Sequence, residues 1–254
     1  MTLVVTLTPK EIGSISIEAE SIRPENFSGK TIEEIKSLPI YIGNRAATIG
    51  DVFEVKVEGQ GQVEHTCVVI NGSVPRVKRI GEKMTAGRIE IKGDVDMHLG
   101  AFMSGGTISV NGNADAWVGR EMRGGEIIIN GDAGNYIGSA YRGEMTGMTG
   151  GTIIVKGNAG DYCGEKMAGG KIEIHGNAGI LAGLSMSGGE IIIKGNATIP
   201  GGEMKGGKIR IEGKVLEMLP AFKFEGIEIL DGKEYLKYTG DLSVDGKGTL
   251  YVKK

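Results

Sequence analysis

The sequence has few of the residues that usually cross-link a small fold, mark its turns or fill its core. Its 254 residues include 2 cysteines and 6 prolines, and aromatic residues make up only 5% of the chain. Cys67 and Cys163 lie far apart and show no C-x-x-C spacing, so the sequence indicates neither a disulfide framework nor a zinc site. We expect both to be reduced and buried, as free cysteines generally are.

The chain also lacks a strong charge of one sign and a long apolar run. Its formal net charge is −3, from 29 basic and 32 acidic residues that are interspersed, which leaves no basic surface for nucleic acid or an anionic membrane. No apolar run reaches the roughly 18 residues of a membrane-spanning helix, and the start, MTLVVTLTPK, does not resemble a secretory signal. We therefore expect a cytoplasmic protein that binds neither nucleic acid nor membranes.

Glycine is the abundant residue, with 45 copies, yet no glycine recurs at every third position and 40% of the residues are hydrophobic. This combination excludes a collagen and argues against a low-complexity tract. A glycine in regular structure costs about 0.5 to 1 kcal/mol relative to alanine, so dozens of them are tolerated only where the backbone geometry requires them. Repeated sharp turns would supply that requirement.

Methionines recur at a nearly fixed spacing, and each opens a near copy of M-x-G-G-x-I-x-I-x-G-N-A. They are Met84, Met103, Met122, Met148, Met167, Met186 and Met204. Five of the six steps are 18 or 19 residues, and the step from Met122 to Met148 is 26, which marks a seven-residue insertion. A fixed period in this range predicts one structural unit stacked on itself.

The strongest part of the repeat is G-x-x-M-x-G-G-x-I-x-I-x-G. Its seven copies begin at Gly81, Gly100, Gly119, Met145, Gly164, Gly183 and Gly201, so Met145 takes the place of the leading glycine in copy four. Each x-I-x-I-x predicts a short strand with both aliphatic residues pointing inward. The predicted inward ladders are Ile89, Ile108, Ile127, Ile153, Ile172, Ile191 and Ile209, and Ile91, Val110, Ile129, Val155, Ile174, Ile193 and Ile211.

Successive parallel strands in such a stack lie about 4.8 Å apart, and connections between parallel strands are almost always right-handed. We therefore predict an all-β fold, a right-handed parallel β-helix with coils of about 19 residues. The glycine that ends each strand is followed by Asp or Asn, and we expect this pair to form the corner with positive φ. A second inward column further round the coil is Leu99, Val118, Ile137, Cys163 and Ala182.

Three segments are predicted. Residues 1–62 do not repeat and show strand and helix patterns, so we expect a small mixed α/β segment that caps one end or docks onto a partner. Residues 63–213 form the β-helix, with the seven repeats in 81–213, and residues 214–254 form a C-terminal β cap that contains a hairpin with an Asp-Gly turn.

The outward positions of the strands show no pair of carboxylates, and His65, His98 and His175 occupy different positions of the coil. General acid/base catalysis needs two titrating groups within reach of one substrate, and a metal needs converging ligands. We therefore assign no catalytic, cofactor-binding or metal-binding residue.

Apolar side chains at outward positions are the clearest candidates for function. Ile128, Ile154 and Ile192 are predicted to point out of the strands, and another outer column is His98, Trp117, Tyr136, Tyr162 and Leu181. The four rings of this second set, His98, Trp117, Tyr136 and Tyr162, are called the aromatic column below. Ring stacking alone explains such a column, and a protein interface explains it equally well.

The insertion around Tyr141 and Arg142 leaves the coil beside the aromatic column. A tolerated loop is one interpretation. The other is a protruding anchor for a partner protein, in which the arginine grips a carboxylate bidentately. The predicted partner interface therefore comprises Trp117, Ile128, Tyr136, Tyr141, Arg142, Ile154, Tyr162 and Ile192.

Three stretches resemble a known family along essentially the full length of the chain. They are IRPENFSGKTIEEIKSLPIYIGNRAATIGDVFEV, the seven repeats, and YRGEMTGMTGG, and they resemble the C subunit of the formylmethanofuran dehydrogenase complexes of methanogenic archaea. The resemblance implies a non-catalytic architectural subunit of a hetero-oligomer that reduces CO2 and attaches it to methanofuran as N-formylmethanofuran, the first step of methanogenesis from CO2. It also implies that the molybdenum or tungsten pterin, the iron-sulfur clusters and the amidohydrolase metals belong to other subunits, with no cofactor bound by this chain.

Three alternatives stay open at this point. The repeat is also similar to the C-terminal domain of the large glutamate synthase subunit, and bacterial formyltransferase/hydrolase complexes use a related C subunit. A solitary carbohydrate-active β-helix ranks last. The N-terminal block favours the dehydrogenase family.

Overall fold

The computed structural model describes residues 2–11 and 13–254, and it is mostly β. Its strands, in chain order, are β1 (Leu3–Pro9), β2 (Ile17–Glu18), β3 (Pro39–Ile42), β4 (Arg45–Thr48), β5 (Phe53–Glu58), β6 (Thr66–Ile70), β7 (Val77–Lys78), β8 (Arg88–Ile91), β9 (Ser104–Val110), β10 (Gly124–Ile129), β11 (Thr152–Val155), β12 (Ala168–Ile174), β13 (Gly188–Ile193), β14 (Ala197–Thr198), β15 (Lys208–Ile211), β16 (Val215–Glu217), β17 (Lys223–Leu230), β18 (Lys233–Gly240) and β19 (Gly248–Lys253). The helices are α1 (Pro24–Phe27), α2 (Ile32–Lys36) and α3 (Ile49–Val52), with 3-10 turns at Val63–His65 and Leu242–Val244. Over the described ranges, no helix combines the length and the apolar character needed to cross a membrane.

One thirteen-stranded sheet runs through the chain in the order β17-β18-β19-β15-β13-β12-β11-β10-β9-β8-β6-β1-β5. From β1 to β19 its repeat strands pair in parallel, and the register follows the repeat. Ile108 lies opposite both Ile89 and Ile127. Every residue of the two predicted inward ladders is buried, so the predicted placement of both ladders is correct. Stacking of like aliphatic side chains forms the core.

Each repeat also contacts the next away from this sheet. A second line of parallel bridges joins Val74, Val95, Ala114, Ala133, Ala159 and Ala178. The predicted second inward column, from Leu99 to Ala182, is buried as well, and so are all seven methionines that open the repeats. Because a methionine side chain is unbranched and flexible, it fills the space that the glycine turns leave in the interior.

The corner after each strand differs from the prediction. None of the Asp and Asn residues there has a positive φ, and neither do the glycines before them. Instead, each side chain accepts a hydrogen bond from the corner of the next repeat: the Asp132 N–H donates to Asn113 Oδ1 at 2.8 Å, and the Asn196 N–H donates to Asn177 Oδ1 at 2.8 Å. We call this line of bonds the corner ladder. The glycine is needed because a Cβ at Gly112 would lie 2.7 Å from the Gly93 carbonyl carbon.

Copy four of the repeat also starts elsewhere than predicted. Gly138, with φ of 65°, is the leading glycine, and its carbonyl accepts the Met148 N–H at 2.8 Å, as the Gly100 carbonyl accepts the Met103 N–H in an ordinary copy. Met145 is 84% exposed and has no such role. The prediction was wrong because it extended the pattern back from Met148 without a gap, whereas the insertion falls between the leading glycine and the methionine.

The N-terminal segment joins the same sheet rather than standing apart from it. Strand β1 pairs in parallel with β6 and antiparallel with β5, and a separate four-stranded sheet has the order β4-β3-β2-β7. Thr31 caps α2, since its hydroxyl accepts the Glu34 N–H while Glu34 accepts the Thr31 N–H.

The C-terminal segment adds one parallel strand and a hairpin. Strand β19 pairs with β15, so that Leu250 lies opposite Ile209, and β17 and β18 form the hairpin around Asp231 and Gly232. The Asp-Gly turn was predicted from the sequence.

Candidate partner interface

The aromatic column is a continuous stack. Ring centroids are 5.3 Å apart between His98 and Trp117, 4.9 Å between Trp117 and Tyr136, and 5.0 Å between Tyr136 and Tyr162. The last two interplanar angles are 7°. These separations are close to the distance between neighbouring strands of a sheet, so the rings stack because the repeats stack.

The backbone at all four rings lies in the left-handed region, with φ between 59° and 63°. This conformation is uncommon for residues other than glycine, and nothing in the sequence pattern indicated it. Backbone hydrogen bonds to the next repeat hold it in place: the Trp117 N–H donates to the Asn135 carbonyl at 2.9 Å. The strained turn aims each ring outward along the same flank, where the rings are half-buried.

The insertion folds back onto this column. The Tyr141 ring meets the His98 and Trp117 rings edge-on, at 5.8 and 5.6 Å between centroids. Its N–H donates to Glu121 Oε1 at 3.4 Å. The Tyr141 ring therefore packs on the column rather than protruding from it, although 40% of the residue is exposed, and its role as a partner anchor stays a prediction. Arg142 is exposed, as predicted.

The structure adds Arg120, which the sequence pattern did not single out. Its guanidinium lies over the Phe102 ring at 4.5 Å and over the Tyr141 ring at 4.7 Å, while the residue is only 7% exposed. One signal was available in the sequence. The residue after the leading glycine is acidic, small or apolar in the other copies, and Arg120 is the only cation at that position.

The three outward isoleucines do not behave alike. Ile128 and Ile154 are half-buried neighbours in register on β10 and β11. Ile192 is 4% exposed, so the prediction that it lies on the surface is wrong. It stands between Glu173 and Arg210 in register, and the aliphatic stems of such long side chains cover an apolar neighbour.

Two titratable side chains on these surfaces have pKa values far from their usual ones. Burial, together with the positive charges of Arg120, Arg79 and Lys78, lowers the pKa of His98 to about 4, so this ring is neutral at pH 7. On the sheet face, hydrogen bonds from Lys194, Lys171 and His175 lower the pKa of Glu173 to about 2.

The thiols do not fit the iron-sulfur centres that the family resemblance implies. An iron-sulfur cluster takes four thiolate ligands in its common forms, and the chain has 2 cysteines. Cys163 is buried, and burial raises the pKa of its thiol to about 12. Cys67 is half-buried in β6. Among the described residues, no group of three or more His, Cys, Asp or Glu side chains is placed to hold a metal ion.

The sequence is similar to several curated proteins, although no family model matches it. The C subunit of the tungsten-containing formylmethanofuran dehydrogenase 2 of Methanococcus maripaludis is 47% identical over 255 residues, which cover 94% of this chain and 92% of that protein. The corresponding protein of Methanothermobacter marburgensis is 46% identical over 97 residues, 38% of this chain and 36% of that protein. The matched region thus spans about a third of the length of the Methanothermobacter relative.

A solved structure also matches. One chain in the crystal structure of the formyltransferase/hydrolase complex from Methylorubrum extorquens, determined with methylofuran, has a TM-score of 0.90 and 31% identity. The match covers 98% of this chain and 99% of that one.

The stacked repeats and the ring-lined flank define a mostly β repeat protein, a class that commonly presents extended surfaces to other proteins. The sequence match along nearly the full length of the chain identifies one family within that class. The chain belongs to the family of formylmethanofuran dehydrogenase C subunits. The glutamate synthase alternative is not favoured.

Proposed function

We propose that this chain is the non-catalytic architectural subunit of a formylmethanofuran dehydrogenase complex. That complex is an oxidoreductase which reduces CO2 and attaches it to methanofuran as N-formylmethanofuran, with an iron-sulfur protein as electron partner. The observation that carries the proposal is the 47% identity to a tungsten-type C subunit along nearly the whole chain. The catalytic subunits are the partners, and the complex is a cytoplasmic hetero-oligomer.

We further propose that residues 63–213 wind as a right-handed parallel β-helix. The parallel register of β6 and β8 to β13, together with the second line of bridges, supports this. Residues 1–62 and 214–254 cap its two ends, and both segments contribute strands to the edges of the large sheet.

The charged groups of the chain support a structural role. Glu173 is engaged by Lys194 Nζ at 2.8 Å and by His175 Nε2 at 2.9 Å, so its carboxylate is held in a surface network rather than left free to transfer protons. We propose that the molybdenum or tungsten pterin, the iron-sulfur clusters and the amidohydrolase metals lie in other subunits. The two thiols, which cannot ligate a four-thiolate cluster, agree with that division.

The partner interface is proposed to lie on the flank of the aromatic column and the insertion. Trp117, Tyr136 and Tyr162 supply half-buried rings, Tyr141 and Arg142 supply exposed groups, and Ile128 and Ile154 extend the apolar surface onto the sheet. Changing Arg142 to Ala should weaken assembly and leave the melting temperature of the isolated chain nearly unaltered, because this side chain is exposed. If gel filtration shows that the variant forms the same complex as the wild type, Arg142 is not part of the interface.

Affinity purification of the tagged chain from its native source tests the function itself. Mass spectrometry should find the catalytic subunits in fixed proportion, and metal analysis should find molybdenum or tungsten in the assembly. A chain that purifies alone, or that turns over CO2 unaided, would contradict the proposal.

A role in a formyltransferase/hydrolase complex is the second candidate. The TM-score of 0.90 over nearly all of both chains favours it. The same purification decides between the two, since this candidate predicts a complex with formyl-transfer activity and with neither molybdenum nor tungsten.

A further inference from the structure

Arg120 lies clamped between two aromatic rings. Its guanidinium carbon is 4.5 Å from the centroid of Phe102 and 4.7 Å from that of Tyr141, and only 7% of the residue is exposed. These two ring contacts restrict the rotation of the guanidinium, which is planar by itself. Arg120 comes from the repeat turn and Tyr141 from the insertion, so the clamp exists only because the insertion folds back.

The edges of this guanidinium lack an acceptor. Within the part of the chain that the structure describes, Nε is buried without a hydrogen-bond partner. The neighbouring carboxylate oxygen, Glu121 Oε1, lies 3.9 Å from Nε, too far for a hydrogen bond, and it accepts the Tyr141 N–H instead.

A guanidinium nitrogen that is buried without an acceptor is costly. Aromatic rings interact with the faces of the Arg120 guanidinium, whereas its N–H donors lie in the plane of the group, where the Nε donor has no oxygen atom within hydrogen-bond distance. A carboxylate is the matching acceptor, because its two oxygens fit two parallel N–H groups. The clamp thus presents a rigid cation whose strongest hydrogen bonds are still unmade.

We propose that Arg120 is the anchor for an Asp or Glu side chain of a partner protein in the complex that docks along the aromatic column. This inference rests on the proposed function, because it names the chemistry of the partner at the same flank. Rings beside a rigid arginine are typical of the few residues that carry most of an interface's affinity. The ring stack favours a protein segment over a free anion, since it adjoins the Tyr141 ring of the clamp and so offers apolar contact beside the charge.

The test uses the assembled complex with the variant Arg120→Lys. Lysine keeps the charge and loses the planar fork, so we expect the complex to dissociate with about tenfold higher Kd. A carbodiimide can also join the introduced lysine amine directly to a nearby carboxylate as an amide. We expect mass spectrometry to find a cross-link from position 120 to an Asp or Glu of a partner protein. Arg123→Lys, at an exposed position three residues away, is the matched control and should neither weaken the complex nor yield that cross-link.

The outcomes separate the two proposals. If the wild-type chain assembles but position 120 couples only to Glu121 or to nothing, with dissociation unchanged, the Arg120 proposal is wrong and the architectural role stands. If acetate or citrate alone protects Arg120 of the wild-type chain from an arginine-specific dicarbonyl reagent, and no partner carboxylate couples to the lysine variant, the site binds a free anion, which also overturns the proposal. A wild-type chain without partners would refute the proposed function instead. Should the lysine variant fail to fold, Arg120→Gln, which keeps N–H donors without the charge, must fold and bind its partners more weakly than the wild type for the proposal to survive.

Discussion

The Tyr141 ring meets the Trp117 ring edge-on, with centroids 5.6 Å apart and an interplanar angle of 62°. Tyr141 belongs to the insertion in copy four, and Trp117 belongs to the regular copy that begins at Gly100. The contact ties the irregular part of the chain to its most regular feature. It also turns a loop that could have been mobile into one wall of the Arg120 clamp.

Changing Tyr141 to Ala should destabilise the chain by about 1–2 kcal/mol, because it removes ring contacts with His98 and Trp117 and one face of the Arg120 clamp. Tyr141→Phe keeps the ring and should cost much less. Urea denaturation of both variants measures the difference. Equal stability of the Ala variant and the wild type would mean that the insertion does not pack on the column in solution.

Gly138 should be far less tolerant of substitution than Met145. At Gly138 the φ of 65° is strained for any side chain, and a Cβ would lie 2.7 Å from Ile172 Cδ1, so Gly138→Ala should cost about 2–4 kcal/mol. Met145→Ala, at a residue that is 84% exposed, should stay within about 0.5 kcal/mol of the wild type. Thermal unfolding compares them. If Met145→Ala were more destabilising than Gly138→Ala, copy four would begin at Met145 instead.

Removing one acceptor from the corner ladder should lower the stability of the chain. Asn177→Ala removes the Oδ1 that accepts the Asn196 N–H at 2.8 Å, which should destabilise the chain by about 1 kcal/mol. Asn177→Asp keeps an oxygen at that place and is the matched control. A chemical denaturation midpoint for the Ala variant that equals that of the Asp variant would show that the bond adds nothing to stability.

His98 should make stability depend on pH in the acid range. Its folded pKa of about 4 lies below the unfolded value near 6.5, since burial and Arg120 disfavour the charged ring. Between these two values the unfolded chain binds the proton and the folded chain does not. Stability should therefore fall as pH drops from 6.5 towards 4, with a slope of at most about 1.4 kcal/mol per pH unit from this group.

The variant His98→Asn isolates that contribution, because asparagine tolerates the positive φ at this position and does not titrate. The difference in unfolding free energy between wild type and variant should change across pH 4 to 6.5 and be constant above it. A pH-independent difference would place the His98 ring in solvent.

Much of the fold could be predicted because every copy of the repeat shows the same pattern of inward and outward residues. Ile108 and Val110 are inward in one copy, and six other copies repeat the same evidence, so the two ladders were placed without error. The burial of Ile192 could not be predicted in this way. Its exposure depends on the long neighbours Glu173 and Arg210, which differ from copy to copy.

The candidate site shows the same contrast. The rings of Trp117, Tyr136 and Tyr162 could be aligned by period alone, and they do stack. Arg120 stayed hidden because its environment is made by Phe102, one repeat back, and by Tyr141, in an insertion whose path no period describes.

The sequence by itself determined the period, the inward ladders and the composition of the outer columns, because a side chain's direction in a strand follows from local alternation. Only the tertiary structure decided where the insertion enters copy four, how the corner side chains bond to the next repeat and which arginine the rings enclose. Those features depend on contacts between residues that belong to different repeats or to the loop, and local pattern carries no information about such contacts.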